Sequence, residues 1–181
     1  MSKMVSCVID SVRVSLTNQQ RVVVLKEQDN ERYLPIWIGL YEAEAITISL
    51  QHIEVARPQT HDLICSILKN LDAKCLFVEI TALREDVFYA NLVTEHNETR
   101  KFIDCRPSDA LALATRLDVP IYVSEDVLTA AGIEPERDIR DQESSPDSPI
   151  DESEEDLSIF KDFLDTLGKD QSQDDTPSRD D

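Results

Sequence analysis

The chain has 181 residues, a length that fits one domain with appendages and is sufficient to bury a hydrophobic core. Its 37 acidic residues against 18 basic ones give a formal net charge of 18 − 37 = −19. This excess of acid excludes a broadly basic surface that grips nucleic acid through its phosphates, and it argues equally against docking on anionic lipid. The sequence has no apolar run of about 18–20 residues and no signal-peptide pattern at its start, so we expect a cytoplasmic protein with no membrane association.

The acidic excess is unevenly distributed along the chain. Residues 1–133 have 13 basic and 19 acidic residues, a formal net charge of 13 − 19 = −6. Residues 134–181 have 5 basic and 18 acidic residues, a formal net charge of 5 − 18 = −13. The second region is also rich in Ser, Pro, Gln and Asp, a composition that cannot bury enough apolar surface to offset its chain entropy. We therefore predict a domain over residues 1–133, an acidic linker over 134–152 and a disordered acidic tail over 169–181.

One segment, residues 153–168, interrupts this acidic region. Four of its apolar side chains fall on one stripe of a helix, at Leu157, Phe160, Leu164 and Leu167. A helix of this length is not stable alone in water. We therefore predict an amphipathic helix that docks on the domain, on a second copy of the chain, or on a protein partner.

The first part of the domain predicts three strands. Residues 4–16 are rich in β-branched side chains, and the alternation of apolar residues changes phase near Ile9, which indicates a β-bulge. Residues 21–27 and 32–38 give two further strands. Pro35 cannot donate a ladder hydrogen bond, so the third strand is predicted to be an edge or irregular there.

The rest of the domain predicts helices and strands in an uneven order. Residues 41–53 favour a helix, and Thr60 is the expected N-cap of a second helix. The apolar face of that second helix is predicted from Leu63, Ile64, Ile67, Leu68 and Leu71. The later elements are strands over 74–83, 87–95 and 101–105, a helix from Ser108 to Leu117, a strand over 119–124 and a helix over 125–131. The order βββ-αα-βββ-α-β-α predicts an α+β fold, with helices packed against a mixed or antiparallel sheet.

Two segments share an unusual pattern at a predicted helix start. Arg57-Pro58 precedes one helix and Arg106-Pro107 precedes another, and each helix has an Asp in its first turn. Because the positive end of the helix dipole repels an arginine, each guanidinium needs either an internal carboxylate or a bound phosphate. His61 lies in the first of these segments, where it serves either local packing or acid–base chemistry.

Five blocks of sequence, in order over about residues 4–133, resemble the bifunctional nuclease domain family. The residues that carry the resemblance are Leu34-Pro35-Ile36-Trp37-Ile38-Gly39 with Glu42-Ala43, Arg57-Pro58 with Thr60-His61-Asp62-Leu63, Phe88-Tyr89-Ala90, Asp104 with Arg106-Pro107-Ser108-Asp109-Ala110, and Pro120-Ile121-Tyr122. The segment from Phe160 to Leu164 also resembles a tail helix of bacterial members. The resemblance implies an α+β homo-oligomer, most often a dimer, with nuclease action on RNA and DNA.

A phosphodiester-cleaving site needs a proton-transfer group and charge neutralisation, and a divalent ion such as Mg²⁺ or Mn²⁺ is one way to supply the second. The candidate catalytic residues are His61, Asp62, Asp109, Arg57 and Arg106. The candidate metal ligands are Asp62, Asp104, Asp109 and Glu42, with Glu44 as an alternative to Glu42. We expect the catalytic residues to cluster in one cleft.

The sequence leaves a second function open. The two Arg-Pro segments would then be structural ion pairs, and the chain would be a non-catalytic oligomeric interaction or regulatory module. In that case the acidic C-terminal region would bind a protein partner. A basic stripe with interleaved aromatic residues, typical of strong nucleic-acid binders, is absent from the sequence.

Overall fold

The computed structural model describes residues 3–14 and 20–134, and within them a mixed seven-stranded sheet carries four helices. In chain order the elements are β1 (Met4–Val14), β2 (Arg21–Glu27), β3 (Tyr33–Ile38), α1 (Leu40–Leu50), α2 (Thr60–Asn70), β4 (Lys74–Arg84), β5 (Val87–His96), β6 (Thr99–Cys105), α3 (Pro107–Leu117), β7 (Ile121–Ser124) and α4 (Glu125–Ala131). This order confirms the predicted α+β class and each predicted element of the domain.

The N-terminal strands form an antiparallel meander. The pairing of β1 with β2 shifts register between Ile9 and Ser11, which confirms the bulge predicted from the phase change. β3 is the first strand of the sheet order, so Pro35 lies on an edge strand as expected.

β7 joins the two halves of the sheet. It runs antiparallel to β1 on one side and parallel to β4 on the other, giving the strand order β3-β2-β1-β7-β4-β5-β6. Since β7 follows α3 in the chain, the crossover that brings it to the middle of the sheet also lays α3 against the core.

α3 is the most deeply buried helix of the described part. Seven of its eleven residues are buried, and five of these are a run of alanines and leucines from Ala110 to Ala114. Small alanine side chains let the helix pack closely on the sheet, and α1 and α2 both pack against it. α3 therefore fixes the position of both neighbouring helices.

Two predicted helix starts differ by one or two residues from those observed. Gln59, not Thr60, is the N-cap of α2, where its side chain and that of Asp62 form a reciprocal capping box. α3 begins at Pro107 after the N-cap Arg106, because proline is preorganised for the first helical position. Ser108 consequently lies buried inside the first turn and does not open the helix.

The structure confirms the predicted apolar face of α2 at two of its five residues. Ile64 and Leu68 pack against the core, but Leu63, Ile67 and Leu71 are exposed. These last three residues, spaced four apart on one face, are called the α2 stripe below. The helical period shows that these five apolar residues lie on neighbouring parts of the helix surface. It does not show which part packs against the core.

The cysteines behave as small hydrophobic residues. Cys7 and Cys75 are buried, Cys65 and Cys105 are half-buried, and all four are free thiols. Burial raises the pKa of Cys7 to about 12 and those of Cys75 and Cys105 to about 11. Protonated, these side chains pack as apolar groups.

The predicted helix over 153–168 and tail over 169–181 lie outside the described residues, as does the linker except for Glu134. These boundaries stay predictions from the sequence. In the described part of the chain, no helix has the length and apolar character needed to cross a bilayer.

Candidate active site

The first turns of α1, α2 and α3 border one cleft of about 630 Å³, which we call the helix-start cleft. Its lining residues are Tyr41, Glu42, Glu44 and Ala45 from α1, Gln59, Thr60, His61 and Ile64 at the start of α2, and Arg106 and Asp109 at the start of α3. The N-terminal end of a helix carries a partial positive charge of roughly +0.5. Three such ends around one cleft favour an anion there.

Four side chains from the three helices are joined inside this cleft. Arg106 donates from Nε to Asp109 Oδ2 at 2.8 Å and from Nη2 to Asp109 Oδ1 at 3.1 Å, a bidentate pair. Its Nη1 donates to Glu42 Oε1 at 3.0 Å. His61 Nε2 lies 3.3 Å from Asp109 Oδ1. We call Glu42, His61, Arg106 and Asp109 the tetrad.

Asp109 is the centre of the tetrad and stays ionised. Its partial burial alone would raise the pKa of the carboxyl group, but hydrogen bonds from Arg106 and His61 hold that pKa below its usual range. An ionised carboxylate offers only acceptors, so Nε2 of a neutral His61 carries the hydrogen in this contact. The other ring nitrogen, Nδ1, is then the proton acceptor of the imidazole.

Arg106 is the exposed cation of the tetrad, with 64% of its side chain accessible to solvent. Its hydrogen bonds to Asp109, and then to Glu42, raise the pKa of the guanidinium, so it stays charged. The group has five N–H donors, of which three contact the two carboxylates. Two donors therefore remain for a ligand in the cleft.

Asp62, although next to His61 in sequence, is part of a different set of contacts. It accepts hydrogen bonds from the backbone N–H of Gln59 at 2.8 Å and from Nε of Arg116 at 2.7 Å. Burial alone would raise the pKa of Asp62, but these two donors hold it below its usual range. The side chain borders a second cavity beside Arg116 and Asp118, away from the helix-start cleft.

The remaining candidates are not joined to the tetrad. Arg57 is exposed in the loop before α2, and within the described residues it makes no hydrogen bond or ion pair. Asp104 is exposed on β6, opposite Asn91 of β5, and does not line the cleft. Of the five predicted catalytic residues, the structure therefore joins His61, Arg106 and Asp109.

The proposed metal ligands do not form a cation site. Within residues 3–14 and 20–134, no three Asp, Glu, His or Cys side chains converge as ligands of an ion would. Asp62 is engaged by Arg116 and Asp104 lies outside the cleft. The other two, Glu42 and Asp109, already share the guanidinium of Arg106. These four residues therefore do not fit a bound Mg²⁺ or Mn²⁺, and the chemistry below uses the protein's own groups.

Arg116 is the important residue that the sequence patterns did not reveal. Only 8% of its side chain is exposed, and besides Asp62 it contacts Gln59 Oε1 and the backbone oxygens of Ala45 and Ala112, each at 2.9 Å. An arginine in the last turn of a helix normally complements the helix dipole, so its position in the sequence gave no sign of a buried partner. It connects α3 to both neighbouring helices behind the cleft.

The fold and the tetrad together define an α+β domain with an acid–base and guanidinium cluster at three converging helix starts. A model of the bifunctional nuclease domain matches residues 23–136. The chain belongs to the bifunctional nuclease domain family, as the sequence resemblance predicted.

Related proteins cover the chain to different extents. An "Uncharacterized protein" of Mycobacterium tuberculosis is 40% identical over 159 residues, which are 88% of this chain and 92% of that protein. Bifunctional nuclease 2 of Oryza sativa subsp. japonica is 28% identical over 119 residues, covering 64% of this chain and 36% of the rice protein. Bifunctional nuclease 2 of Arabidopsis thaliana is 26% identical over 108 residues, which are 57% of this chain and 32% of the Arabidopsis protein. The chain thus spans about a third of these plant proteins.

Proposed function

We propose that this chain is a nuclease-like phosphodiester hydrolase that acts on RNA and DNA, with the tetrad as its reaction site. Family membership and the plant relatives called bifunctional nucleases support the reaction class. The observation that carries the proposal is the His61–Asp109 contact beside the exposed Arg106 in one cleft. Phosphodiester hydrolysis needs a proton-transfer group and a cation for the developing charge, and this cleft supplies both.

His61 is the general base in this proposal. Asp109 accepts the hydrogen of Nε2, which fixes the ring orientation and leaves Nδ1 free to take a proton from an attacking water. As the water oxygen bonds to phosphorus, the bond from phosphorus to the leaving sugar oxygen breaks, and that oxygen takes up a proton from solvent while the imidazolium returns its proton to solvent. The carboxylate also stabilises the imidazolium that forms when the proton is transferred. Only 12% of the His61 side chain is exposed, so the ring is held in place and does not swing in solvent.

Arg106 neutralises the phosphate. Its two unused N–H donors face an entering phosphodiester, while Asp109 and Glu42 hold the planar guanidinium in one orientation. Charge spreads over the non-bridging phosphate oxygens in the transition state, so a fixed guanidinium stabilises it more than a mobile one does.

The charge of the cleft favours the binding of a single phosphate group. Two carboxylates and one guanidinium give the tetrad a net charge of −1 when His61 is neutral. Three helix starts at roughly +0.5 each offset this charge. No broad basic surface is needed for such a site, which reconciles an acidic chain with a polyanionic substrate. We place this activity in the cytoplasm, where the four free thiols of the domain stay reduced.

The test compares two histidines after the same substitution. His61→Asn removes the proposed base, whereas His52→Asn changes an exposed histidine at the end of α1, at a position of positive φ that asparagine tolerates. Cleavage of labelled single-stranded RNA and DNA by protein freed of contaminating nuclease is followed with EDTA, Mg²⁺ and Mn²⁺ in parallel, which measures any metal requirement. We expect His61→Asn to slow cleavage by about 10²-fold or more, and His52→Asn to cleave at the wild-type rate.

Two results would contradict the proposal. Cleavage that persists in a His61→Ala, Asp109→Ala double variant would show that the tetrad is not the reaction site. If the wild-type protein cleaves neither RNA nor DNA under any of these conditions, the proposed hydrolase activity is wrong.

We propose, as a second candidate, a non-catalytic homo-oligomeric interaction module. The α2 stripe favours it, because Leu63, Ile67 and Leu71 present a row of apolar side chains on one helix face, as a helix that packs against a second copy does. Light scattering tests whether the α2 stripe is the contact between copies: Ile67→Glu is expected to lower the oligomer mass, and Val87→Glu, which changes a similarly exposed position on β5, is expected to leave it unchanged. Because a nuclease of this family is also expected to be a homo-oligomer, the cleavage assay on the wild-type protein discriminates the two candidates. Loss of assembly with no cleavage by wild type would favour this module.

A further inference from the structure

One aromatic side chain of the helix-start cleft has no role in the tetrad. Tyr41 is 80% exposed, more than any other large apolar or aromatic residue of the described part. It makes no hydrogen bond, ring contact or cation contact within residues 3–14 and 20–134. It nevertheless lines the same cleft as Arg106, His61 and Asp109.

The shared lining of the cleft places Tyr41 near the tetrad. It is the second residue of α1, directly before Glu42, whose carboxylate is bonded to Arg106. Ile64 of α2 adds apolar surface to the same cleft. An open aromatic ring beside a guanidinium with unused donors matches the two parts of a nucleotide, a flat base and a phosphate.

We propose that Tyr41 is a stacking platform for a nucleobase, and that the helix-start cleft therefore takes single-stranded nucleic acid. This inference rests on the proposed function, because it assigns the phosphate of the same nucleotide to Arg106. The bases of a duplex are stacked on one another and closed to a protein ring, whereas a base of a single strand is free to stack on Tyr41. Stacking is tolerant of sequence and of the sugar, which suits a site for both RNA and DNA.

The acidic surroundings of the cleft strengthen the preference for a single strand. Glu42, Glu44 and Asp109 line it, so the two backbones of a duplex would meet carboxylates as well as Arg106. A stacking contact adds affinity without adding positive charge. The aromatic ring thus supplies binding energy that the electrostatics of this chain do not.

The experiment separates binding from cleavage. The full-length chain with His61→Asn is mixed with a single-stranded oligonucleotide carrying 2-aminopurine, whose fluorescence is quenched when the base stacks. The same strand annealed to its complement is the duplex probe. Tyr41→Ala and Tyr41→Phe are compared in this background, and Phe102→Ala is the matched control, since Phe102 is exposed on β6 and does not line the cleft.

We expect quenching and tight binding of the single strand with Tyr41 and with Tyr41→Phe, because both rings stack. Tyr41→Ala is expected to lose the quenching and to bind about tenfold more weakly. Phe102→Ala is expected to behave as the parent protein. The duplex is expected to bind at least about tenfold more weakly than the single strand.

Several outcomes would overturn the inference. Equal quenching and affinity with and without the tyrosine ring, no binding of the single strand, or equal binding of the duplex would each do so. A Tyr41→Ala protein whose oligomer mass changes while its binding does not would assign the ring to a subunit contact.

Failure of the proposed hydrolysis is recognisable separately. If the wild-type chain binds with Tyr41-dependent quenching but cleaves nothing, the hydrolase proposal fails and the stacking site stands. If cleavage depends on His61 but Tyr41→Ala neither binds nor cleaves differently from wild type, the reaction site stands and the stacking site fails.

Discussion

Asp109 uses both of its carboxylate oxygens to hold the tetrad together. Oδ2 accepts from Arg106, while Oδ1 is shared between Arg106 and His61. The aspartate thus fixes a cation and a base with one side chain, at the third helical position of α3. Because α3 is the most buried helix of the described part, the backbone that carries Asp109 is firmly packed, as the proposed reaction site requires.

The first prediction concerns the shape of the Arg106 side chain. Arg106→Lys keeps the charge but loses the planar fork that meets Asp109 at two oxygens and Glu42 at a third. We expect the cleavage rate to fall about ten- to hundredfold, because the lysine loses one to two charge-assisted hydrogen bonds. Arg100→Lys is the control, because Arg100 is equally exposed at 63% of its side chain but lies on β6. Equal rates in the two variants would show that only the charge of Arg106 matters.

At the scale of the elements, one guanidinium connects the three helices that carry the tetrad. Arg116 of α3 binds the backbone of α1 at Ala45 and the first turn of α2 through Gln59 and Asp62. α2 has no fully buried residue of its own, so packing alone holds it weakly. The ion pair therefore decides where the start of α2, and with it His61, lies.

The second prediction is that Arg116 stabilises the domain. Arg116→Met keeps much of the apolar stem but removes the guanidinium donors to Asp62, to Gln59 and to two backbone oxygens, so that Asp62 keeps only the backbone N–H of Gln59. We expect the free energy of unfolding in urea to fall by about 2–4 kcal/mol. Arg13→Met is the control, because Arg13 is an exposed residue of β1 paired with Asp10 at 3.4 Å. Exposed pairs contribute about 0–1 kcal/mol, so a similar loss in both variants would contradict a special role of Arg116.

The third prediction is the pH dependence of this pair. The pKa of Asp62 is lower in the folded than in the unfolded chain, so its ionised form adds stability above the unfolded pKa, and that stability is lost as the pH falls through the folded pKa. We therefore expect wild type to be more stable than Asp62→Asn at neutral pH, and the difference to shrink below about pH 4. Urea denaturation across this pH range measures it. A stability difference that grows toward low pH would contradict the claim that the ionised form of Asp62 stabilises the folded chain.

Over the full length of the chain, the net charge is concentrated in the C-terminal region. Residues 134–181 carry −13 of the total −19. A like charge at this density repels phosphate over about a Debye length, roughly 10 Å at moderate salt. We therefore expect the acidic region to oppose nonspecific binding of nucleic acid, so that binding is confined to the nucleotide site proposed for the helix-start cleft.

The fourth prediction follows from that charge. Removing residues 169–181, with two basic and five acidic residues, takes away 2 − 5 = −3 of charge, and removing residues 138–181 takes away 4 − 16 = −12. We expect the affinity for a single-stranded oligonucleotide at low salt to rise slightly in the first truncation and strongly in the second. The differences are expected to vanish at high salt, because screening removes the repulsion. Fluorescence anisotropy measures both, and a salt-independent change would point to a contact other than charge.

Local patterns predicted most of the fold, and the misses have a physical cause. The bulge near Ile9 and the edge position of Pro35 follow from rules that involve a strand and its nearest neighbour. The sequence predicts Thr60 as the N-cap of α2 because threonine caps well, but Gln59 is the observed N-cap because it forms a reciprocal capping box with Asp62. Such a competition between neighbouring residues is not resolved by propensity alone.

Local sequence patterns predict the order of the elements, the α+β class and, to within two residues, the helix starts that bear His61, Arg106 and Asp109. These depend on side-chain alternation, helical period and capping, which act over a few residues. Only the tertiary structure decided that Asp109 holds both Arg106 and His61, while Asp62 is bound to Arg116, 54 positions away. The reason is that α3 packs between α1 and α2, so the partner of each carboxylate is set by which helix ends meet and not by which residues are adjacent in the chain.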